Sequence, residues 1–202
     1  MKDSRTFLGK IILTQLQPNG LIIETPSGEV FDPSRLMVAS HLVLTPQGIE
    51  TITPEGERIL DIHHLEHPGK AYDDDDLVCI GFSSHYAAMR ARFGEHMVDG
   101  AAGENIIIDS QKEIWPDELG ERIAIENQQT GQVSLLDITR FAAPCAEFSH
   151  FAAHSQDERL PAKELKDTLQ FLGNGRRGFL LVLGAGQESF TVQPGDLVYT
   201  IA

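Results

Sequence analysis

Residues 175–201 read GRRGFLLVLGAGQESFTVQPGDLVYTI, and this stretch decides the kind of fold that the chain can form. Three short apolar runs, Gly178–Leu183, Phe190–Val192 and Leu197–Ile201, are rich in β-branched and aromatic residues. They are separated by GAGQ and QPGD, and glycine, proline and aspartate are the residues that tight turns favour. The stretch is therefore predicted to form three consecutive short strands.

The first half of the chain repeats this pattern of short strands. Its apolar runs are separated by PNG, PSG, TPQG and TPEG, which are typical turn sequences. Many short strands with few helices are typical of a mainly β fold, so we predict a β-barrel with helical decoration, formed as a single domain over residues 1–202. The further predicted strands are Ile11–Leu16, Leu21–Glu24, Leu36–Val38, His41–Leu44, Ile49–Ile52, Arg58–Ile62, Leu77–Phe82, Asn105–Ile108, and a hairpin of Glu121–Glu126 with Gln132–Thr139.

Two segments change to the helical period. In Ser84–Phe93 the large side chains fall on one helical face, and Ser83 or Ser84 is expected to cap its start. In Pro161–Leu172 three leucines form one apolar stripe, with proline in the first turn and Gly173 just past the end. Both segments are predicted to be helices.

The charge balance limits the partners of this chain. It has 16 Lys and Arg against 30 Asp and Glu, which gives a net charge of −14. Such a surface repels nucleic acid and anionic membranes, so we expect neither as a partner. No apolar run approaches the roughly 20 residues that span a bilayer, and no signal peptide is evident, so we expect a cytoplasmic protein. The acidic run Asp73–Asp76 is predicted to be a solvated loop.

The chain has two cysteines, Cys79 and Cys145. Neither belongs to a CxxC pair, and two cysteines in a cytosolic chain rarely form a disulfide. Cys79 lies inside the apolar run Leu77–Phe82, which predicts a buried core thiol. Cys145 lies in RFAAPCAEFSH, residues 140–150, just before a segment with helical spacing. A thiol at a helix N-terminus is favoured as a thiolate, so it can be a metal ligand or a nucleophile; a small buried hydrophobe is the alternative.

Three further segments carry groups suited to ligand binding, and each has a purely structural alternative. Gly100–Asn105 contains two glycines that allow close backbone approach to a ligand, or a plain turn. Gly173–Gly178 places two arginines between glycines, which suits an anion, or forms a solvated turn. Asp61–Lys70 contains three histidines and two acids but no fixed zinc spacing. For this segment we favour positioning of a polar ligand over a zinc site, with a polar loop as the alternative.

Taken in this order, these segments resemble the MOSC domain, the family named for the C-terminal domain of molybdenum-cofactor sulfurase, and most closely its stand-alone bacterial members. HHLEHPGKA, SSHYAAMRARFG and GAAGENIII are similar to the family's histidine segment, its following helix and its Gly-Glu-Asn-Ile strand start. LGERIAIENQQTGQVSLLDITRFAAPC resembles its hairpin ending in Pro-Cys, and residues 175–201 resemble its closing segment. The likeness covers residues 58–202 well and the first strands loosely. Where the family often has an arginine or serine before Pro-Cys, this chain has Ala142 and Ala143.

The resemblance implies a β-barrel with a cleft that holds the molybdenum cofactor, molybdopterin, rather than a ligand of the pyridoxal phosphate kind. Cys145 is implied as the catalytic residue and the protein ligand to molybdenum, or as a sulfur carrier. Thiolate suits a soft metal, and arginine suits the phosphate of the cofactor. The implied cofactor-binding residues are Gly103, Glu104, Asn105, His67, Lys70, Arg176, Arg177 and Gly178.

Three functions are consistent with these features. Some members of the family reduce N-hydroxylated small molecules with electrons from a partner protein, and we expect an oxidoreductase of this kind. This chain has no cysteine cluster for an iron–sulfur centre, so its redox partner would be another protein. The alternatives are a carrier that holds a persulfide or the cofactor on Cys145, and a non-catalytic binding module. The sequence does not indicate an oligomeric state.

Overall fold

The structure, a computed structural model, describes residues 5–26, 28–70, 77–156 and 158–201. The predicted acidic loop Asp73–Asp76 lies outside the described residues. The helices are α1 (Ser83–Phe93), α2 (Pro116–Leu119), α3 (Ala146–Ala152) and α4 (Ala162–Leu172), and a 3₁₀ turn covers Pro33–Arg35. The strands are β1 (Arg5–Leu16), β2 (Ile22–Thr25), β3 (Gly28–Phe31), β4 (Met37–Val38), β5 (Leu42–Thr45), β6 (Gly48–Ile52), β7 (Arg58–Leu60), β8 (Val78–Phe82), β9 (Ile106–Asp109), β10 (Arg122–Glu126), β11 (Val133–Phe141), β12 (Phe179–Leu183), β13 (Phe190–Val192) and β14 (Leu197–Ile201).

Seven of these strands form a closed barrel in the part of the chain that the structure describes. Neighbours follow the order β14, β10, β11, β12, β8, β9 and β1, and β1 pairs again with β14 to complete the ring. Neighbouring strands are antiparallel except β8 and β9, which run parallel and are connected through α1. The predicted mainly β fold with a barrel and helical decoration is confirmed. Closure removes the unpaired edges that an open sheet would expose.

The first strand seals the barrel because it has two partners. The start of β1 pairs with β14, where Arg5 lies opposite Ile201, and its later part pairs with β9. The register shifts next to Gly9 in the pairing with β14. A Cβ atom built on Gly9 would lie 1.9 Å from the carbonyl oxygen of Asp109, so only glycine lets the two backbones approach here.

Two smaller groups of strands accompany the barrel. The strands β13, β5, β6 and β7 form an antiparallel sheet whose inward side chains, such as Leu44 and Phe190, join the core of the barrel. The strands β2 and β3 form a hairpin, and β4 pairs with the end of β1. The side chain of Phe31 at the end of this hairpin packs on Phe148 of α3, with ring centroids 5.1 Å apart. The hairpin is thereby held over one end of the barrel wall.

The two predicted helices are confirmed as α1 and α4, whereas the short α2 was not predicted and the start of α1 differs from the expectation. Neither Ser83 nor Ser84 caps this helix. Ser83 Oγ donates to Asp109 Oδ1 at 3.0 Å, and Ser84 Oγ donates to the carbonyl oxygen of Lys112 at 2.8 Å. The two hydroxyl groups therefore tie α1 to the segment that follows β9. The expected serine cap is wrong because these tertiary partners compete with the local backbone N–H groups.

The apolar side chains form two clusters. One fills the barrel and its contact with the small sheet, and it includes Ile80 of β8 and Leu181 of β12, both fully buried. The other joins α1, α3 and α4 to the β2–β3 hairpin through Tyr86, Phe148 and Leu172. The second cluster positions the site described below, because it fixes the hairpin and the helix that follows Cys145.

The barrel core predicts a clear contrast between inward and outward side chains. The substitution Ile80→Ala should lower the free energy of unfolding by about 2–5 kcal/mol, because it leaves a cavity among closely packed side chains. Val38→Ala, at a side chain that is 69% exposed, should change it by only about 0.5 kcal/mol. Urea unfolding followed by circular dichroism measures both values, and equal losses would contradict the described barrel interior.

Candidate functional site

A cavity of about 350 Å³ lies between the barrel wall and the β2–β3 hairpin, within the size range of ligand clefts. Strands β8, β11 and β12, the segment after β1 and the start of the hairpin all contribute to it. Its polar lining consists of Gln17, His63, Cys79, Arg140 and Arg177. Its remaining lining consists of Leu21, Ile22, Phe31, Ala102, Gly103, Ala142, Ala143 and Leu180.

A buried carboxylate organises the polar side of this cavity. Asp61 follows β7 and is fully buried. Its Oδ2 accepts hydrogen bonds from the backbone N–H of Gln17 and from Asn105 Nδ2, both at 2.8 Å. Its Oδ1 accepts from the backbone N–H of His63 at 3.0 Å and lies 2.6 Å from the ring nitrogen Nδ1 of the same residue. Four donors on one carboxylate satisfy its buried negative charge.

His63 connects this carboxylate with the cavity. Its ring lines the cavity, and its side chain is 13% exposed. A carboxylate only accepts hydrogen bonds, so Nδ1 of His63 carries the proton that faces Asp61. The nitrogen Nε2 is then the one that can take up or release a proton. The Asp61–His63 pair is the arrangement in which an imidazole is oriented by an acid.

Asn105 connects β1, β8 and the segment after β7 beside the cavity. Its Oδ1 accepts from the backbone N–H of Cys79 at 2.9 Å, and its Nδ2 donates to Asp61 and to the carbonyl oxygen of Gln15 at 3.3 Å. The residue is 1% exposed and does not line the cavity. The structure therefore gives Asn105 a supporting position behind the cavity wall.

Glu104 is a buried carboxyl group behind the same wall. Its Oε2 accepts a hydrogen bond from the hydroxyl of Tyr86 at 2.6 Å, and that hydroxyl accepts from the backbone N–H of Ala102 at 2.9 Å. Its Oε1 is buried and has no hydrogen-bond partner in the described residues. Burial is the main cause that raises the pKa of Glu104 to about 7. Burial also raises the pKa of Tyr86 well above its ordinary value, so the Tyr86 hydroxyl stays a donor.

Arg177 is the arginine of the GNGRRG turn that reaches the cavity. One of its terminal nitrogens donates to the carbonyl oxygen of Ala143 at 2.6 Å, and its guanidinium lies 5.2 Å from the centre of the Phe148 ring. Its Nε is buried and has no hydrogen-bond partner in the described residues. The guanidinium therefore stands in the cavity wall with a donor that the described protein groups do not use.

Arg176 points away from the cavity. Its Nε donates to Glu113 Oε1 at 2.9 Å, and a terminal nitrogen donates to the carbonyl oxygen of Phe171. Its guanidinium also packs on the rings of Trp115 and Phe171, at 4.9 Å and 4.1 Å from their centres. The side chain fastens the end of α4 to the segment around α2. The structure thus separates the two arginines that the sequence placed together.

Cys145 stands at the start of α3, as predicted. It is the N-cap residue of this helix, and its Sγ accepts a hydrogen bond from the backbone N–H of Phe148 at 3.4 Å. The residue is half-buried and does not itself line the cavity, although Ala142 and Ala143 just before it do. Phe148 therefore contacts both groups, since its backbone N–H bonds the thiol and its ring lies against the Arg177 guanidinium.

The interpretation of Cys79 as a buried core thiol is wrong. The residue is half-buried, and it lines the cavity. Successive residues of a strand face opposite sides, so Val78 and Ile80 enter the barrel core while Cys79 faces the cavity. The run Leu77–Phe82 contains no polar side chain on either face of the strand, so its sequence does not show that Cys79 faces the cavity. Two thiols, not one, therefore lie at or beside the cavity.

The other predicted site residues lie at different depths. Gly103 lines the cavity, and Gly178 lies directly behind it, where a Cβ atom would approach Cys79 Sγ to 3.3 Å. His67 and Lys70 do not line the cavity; His67 Nε2 lies 3.2 Å from the carbonyl oxygen of Pro18. Of the three histidines in this segment, His63 is the one that reaches the site. The sequence signal for it was an aspartate two residues before, a spacing that lets one side chain bond the next.

In the described ranges, no three His, Cys, Asp or Glu side chains converge into a group that could hold a metal ion. Among the described residues, the longest helices have 11 residues, and none is long and apolar enough to cross a bilayer.

Solved structures with the same fold share little sequence with this chain. The YuaD protein from Bacillus subtilis has a TM-score of 0.53 and 14% identity, over 95% of this chain and 97% of that one. YiiM from Geobacillus stearothermophilus has a TM-score of 0.50 and 14% identity, over 98% of this chain and 75% of that one. A structure described as a hypothetical protein has a TM-score of 0.53 and 14% identity, over 98% and 69%. At this identity the likeness shows the fold alone.

The cavity of this barrel protein is lined by a thiol, an imidazole and two guanidinium groups, which are side chains suited to a small ligand. The sequence profile of the MOSC domain matches residues 67–199, so the chain belongs to the MOSC domain family, which is associated with molybdenum-cofactor binding proteins. No curated protein sequence matches the chain.

The buried carboxyl of Glu104 predicts a pH dependence of stability. Its pKa is raised in the folded protein to about 7, so its stabilising contribution is complete below the pKa of the unfolded chain, near 4.5, and is lost as the pH rises through about 7. Glu104→Gln should remove this loss, which is at most about 3 kcal/mol because one pKa unit corresponds to about 1.36 kcal/mol. The variant should therefore lose less stability than the wild type between pH 5 and pH 8.

The measurement is urea unfolding of both proteins at several pH values. His85 has a pKa lowered to about 4 by burial, so its own contribution is lost as the pH falls through that value. That contribution is common to both proteins and cancels in their difference. Parallel stability curves for Glu104→Gln and the wild type would contradict the raised pKa of Glu104.

Proposed function

We propose that this protein holds the molybdenum cofactor in the described cavity and reduces N-hydroxylated small molecules there with electrons from a separate protein. The observation that carries the proposal is the presence of two guanidinium groups and the Cys79 thiol in the lining of one cavity, with Cys145 beside it, in a protein with a net charge of −14. In an acidic protein, Arg140 and Arg177 make this cavity a favourable place for an anionic ligand.

The residues present fit the cofactor. The buried Nε of Arg177 has no partner in the described residues, which suits a phosphate oxygen as its acceptor. Gly103 leaves room that a side chain would fill, since a Cβ atom there would lie 2.9 Å from both Gln17 Nε2 and Leu21 Cδ1 of the cavity lining. The thiols of Cys145 and Cys79 are soft donors of the kind that molybdenum favours.

The chain's own residues divide the work of binding. Arg177 and Arg140 would hold the phosphate, and Cys145 would supply the sulfur ligand to the metal, as the family resemblance implies. The cofactor, when bound, supplies a metal centre that accepts oxygen and electrons. The apolar lining from Leu21, Phe31 and the two alanines before Pro144 excludes water from the bound substrate. Two cysteines are too few for an iron–sulfur cluster in this sequence, and a redox partner protein supplies the electrons in this proposal.

Cys145→Ser should abolish both molybdenum retention and reduction of an N-hydroxylated base. Serine is close in size to cysteine, but its hydroxyl is a hard and weakly acidic ligand that does not replace a thiolate. Metal and pterin analysis of protein from a molybdenum-competent host measures retention. Turnover of the N-hydroxylated base, with reduced methyl viologen as the electron donor, measures the activity. Circular dichroism checks that the variant is folded.

Cys79→Ser is the matched variant at the second thiol. If molybdenum is lost from Cys79→Ser and kept by Cys145→Ser, the ligand is Cys79 and the assignment of Cys145 is wrong. A wild-type protein with full molybdenum content and no turnover of any N-hydroxylated compound would favour the carrier function instead.

The two arginines of the GNGRRG turn should behave differently. Arg177→Ala should weaken cofactor retention about tenfold or more, because a lost hydrogen bond to a charged group costs about 1.5–3 kcal/mol. Arg176→Ala should mainly lower the melting temperature, since this side chain bonds Glu113 and packs on Phe171. Cofactor retention after gel filtration and thermal unfolding measure the two effects. Equal cofactor retention in Arg177→Ala and the wild type would place the phosphate elsewhere.

A further inference from the structure

We propose that His63, oriented by Asp61, is the acid that protonates the oxygen leaving the substrate in this cavity. The proposal rests on the proposed function, because it assigns a residue to the reduction of an N–O bond. It concerns a residue of the segment Asp61–Lys70 that is not among the implied cofactor-binding residues.

The first support is the rigidity of the pair. Oδ1 of Asp61 receives both the backbone N–H and the ring Nδ1 of His63, at 3.0 Å and 2.6 Å. Oδ2 is held at the same time by the backbone N–H of Gln17 and by Asn105. The carboxylate therefore has no freedom to rotate, and the imidazole plane is fixed with Nδ1 turned to Asp61. Such fixed orientation is what a proton donor requires.

The second support is the composition of the cavity. The guanidinium groups of Arg140 and Arg177 keep their protons in proteins, so they bind anions but do not act as acids. Among the described residues that line the cavity, this leaves His63 and Cys79 as the groups that can exchange a proton. Glu104 and Tyr86 are buried behind the wall and bonded to each other. An imidazole nitrogen can both donate and accept a proton, whereas a cavity thiol is a nucleophile and metal ligand.

The reaction needs such an acid. The reduction of R–NH–OH to R–NH₂ consumes two electrons and two protons and releases one water. The electrons come from a reduced electron-carrier protein, and the N–O bond breaks. The imidazolium of His63 gives its Nε2 proton to the departing hydroxyl oxygen, which leaves as water, and the nitrogen takes the second proton from solvent. His63 then regains its proton from solvent, and without it the oxygen would leave as hydroxide.

The kinetic test uses His63→Gln and His63→Ala in the cofactor-loaded protein. Loss of a general acid should lower kcat about 100-fold or more with little change in KM, while molybdenum content stays at the wild-type level. Added imidazole should restore part of the activity of His63→Ala. His41→Gln, a histidine outside the cavity lining, is the matched control and should retain wild-type kcat.

Three kinetic outcomes overturn the proposal. The first is a His63→Gln protein with wild-type kcat. The second is a His63→Gln protein that loses molybdenum together with activity, which would assign His63 to cofactor binding. The third is a His63→Ala protein with wild-type metal content whose lost activity imidazole does not restore.

A second measurement does not depend on turnover. Nitrogen-15 NMR of the ring should show the neutral His63 tautomer with the proton on Nδ1, and an added N-hydroxylated base should shift its Nε2 signal. If the loaded wild type turns over no N-hydroxylated compound, the proposed function fails, and this spectrum still decides the role of His63. The other tautomer, or an Nε2 signal that the added base leaves unchanged, overturns the inference.

Discussion

The buried carboxylate of Asp61 is the interaction on which the site depends. It joins the segment after β1, the segment after β7 and the start of β9 through Gln17, its own chain and Asn105. Each hydrogen bond to a charged group contributes about 1.5–3 kcal/mol, and an uncompensated buried charge costs several kcal/mol. Separating any of these three segments would remove hydrogen bonds from the buried charge of Asp61. The carboxylate therefore holds the three segments together. Because Asn105 also accepts from the backbone N–H of Cys79, the same carboxylate indirectly fixes the strand that carries the cavity thiol.

The charges around the cavity are arranged by depth. The cations Arg140 and Arg177 stand in the lining, whereas the acids Asp61 and Glu104 lie behind it and are bonded to protein donors. Asp61 accepts from four donors, and Glu104 accepts from the Tyr86 hydroxyl.

Local sequence predicted the elements of this fold well, because turn residues and apolar periodicity act over a few positions. The strands around GAGQ and QPGD and the N-cap position of Cys145 follow from such local rules. The directions of single side chains depend on distant partners and were not predictable. Arg176 and Arg177 are adjacent in sequence, yet Glu113 with its neighbouring rings holds one and Ala143 holds the other. In the same way, the aspartate two residues before His63 was its only local signal, and its place in the cavity wall depends on the fold that brings Gln17 and Asn105 to Asp61.

The two pairings of β1 form at different times during synthesis. Its partner β9 ends at Asp109, but its other partner, β14, extends to Ile201. At ribosomal rates of about 5–20 residues per second, β1 waits on the order of ten seconds with one edge unpaired. Through that interval an edge of this nascent sheet can pair with another chain, and the register shift between Ile11 and Leu13 in the pairing with β9 twists β1 and discourages such pairing. The barrel therefore loses its last unpaired edge only when β14 pairs with β1.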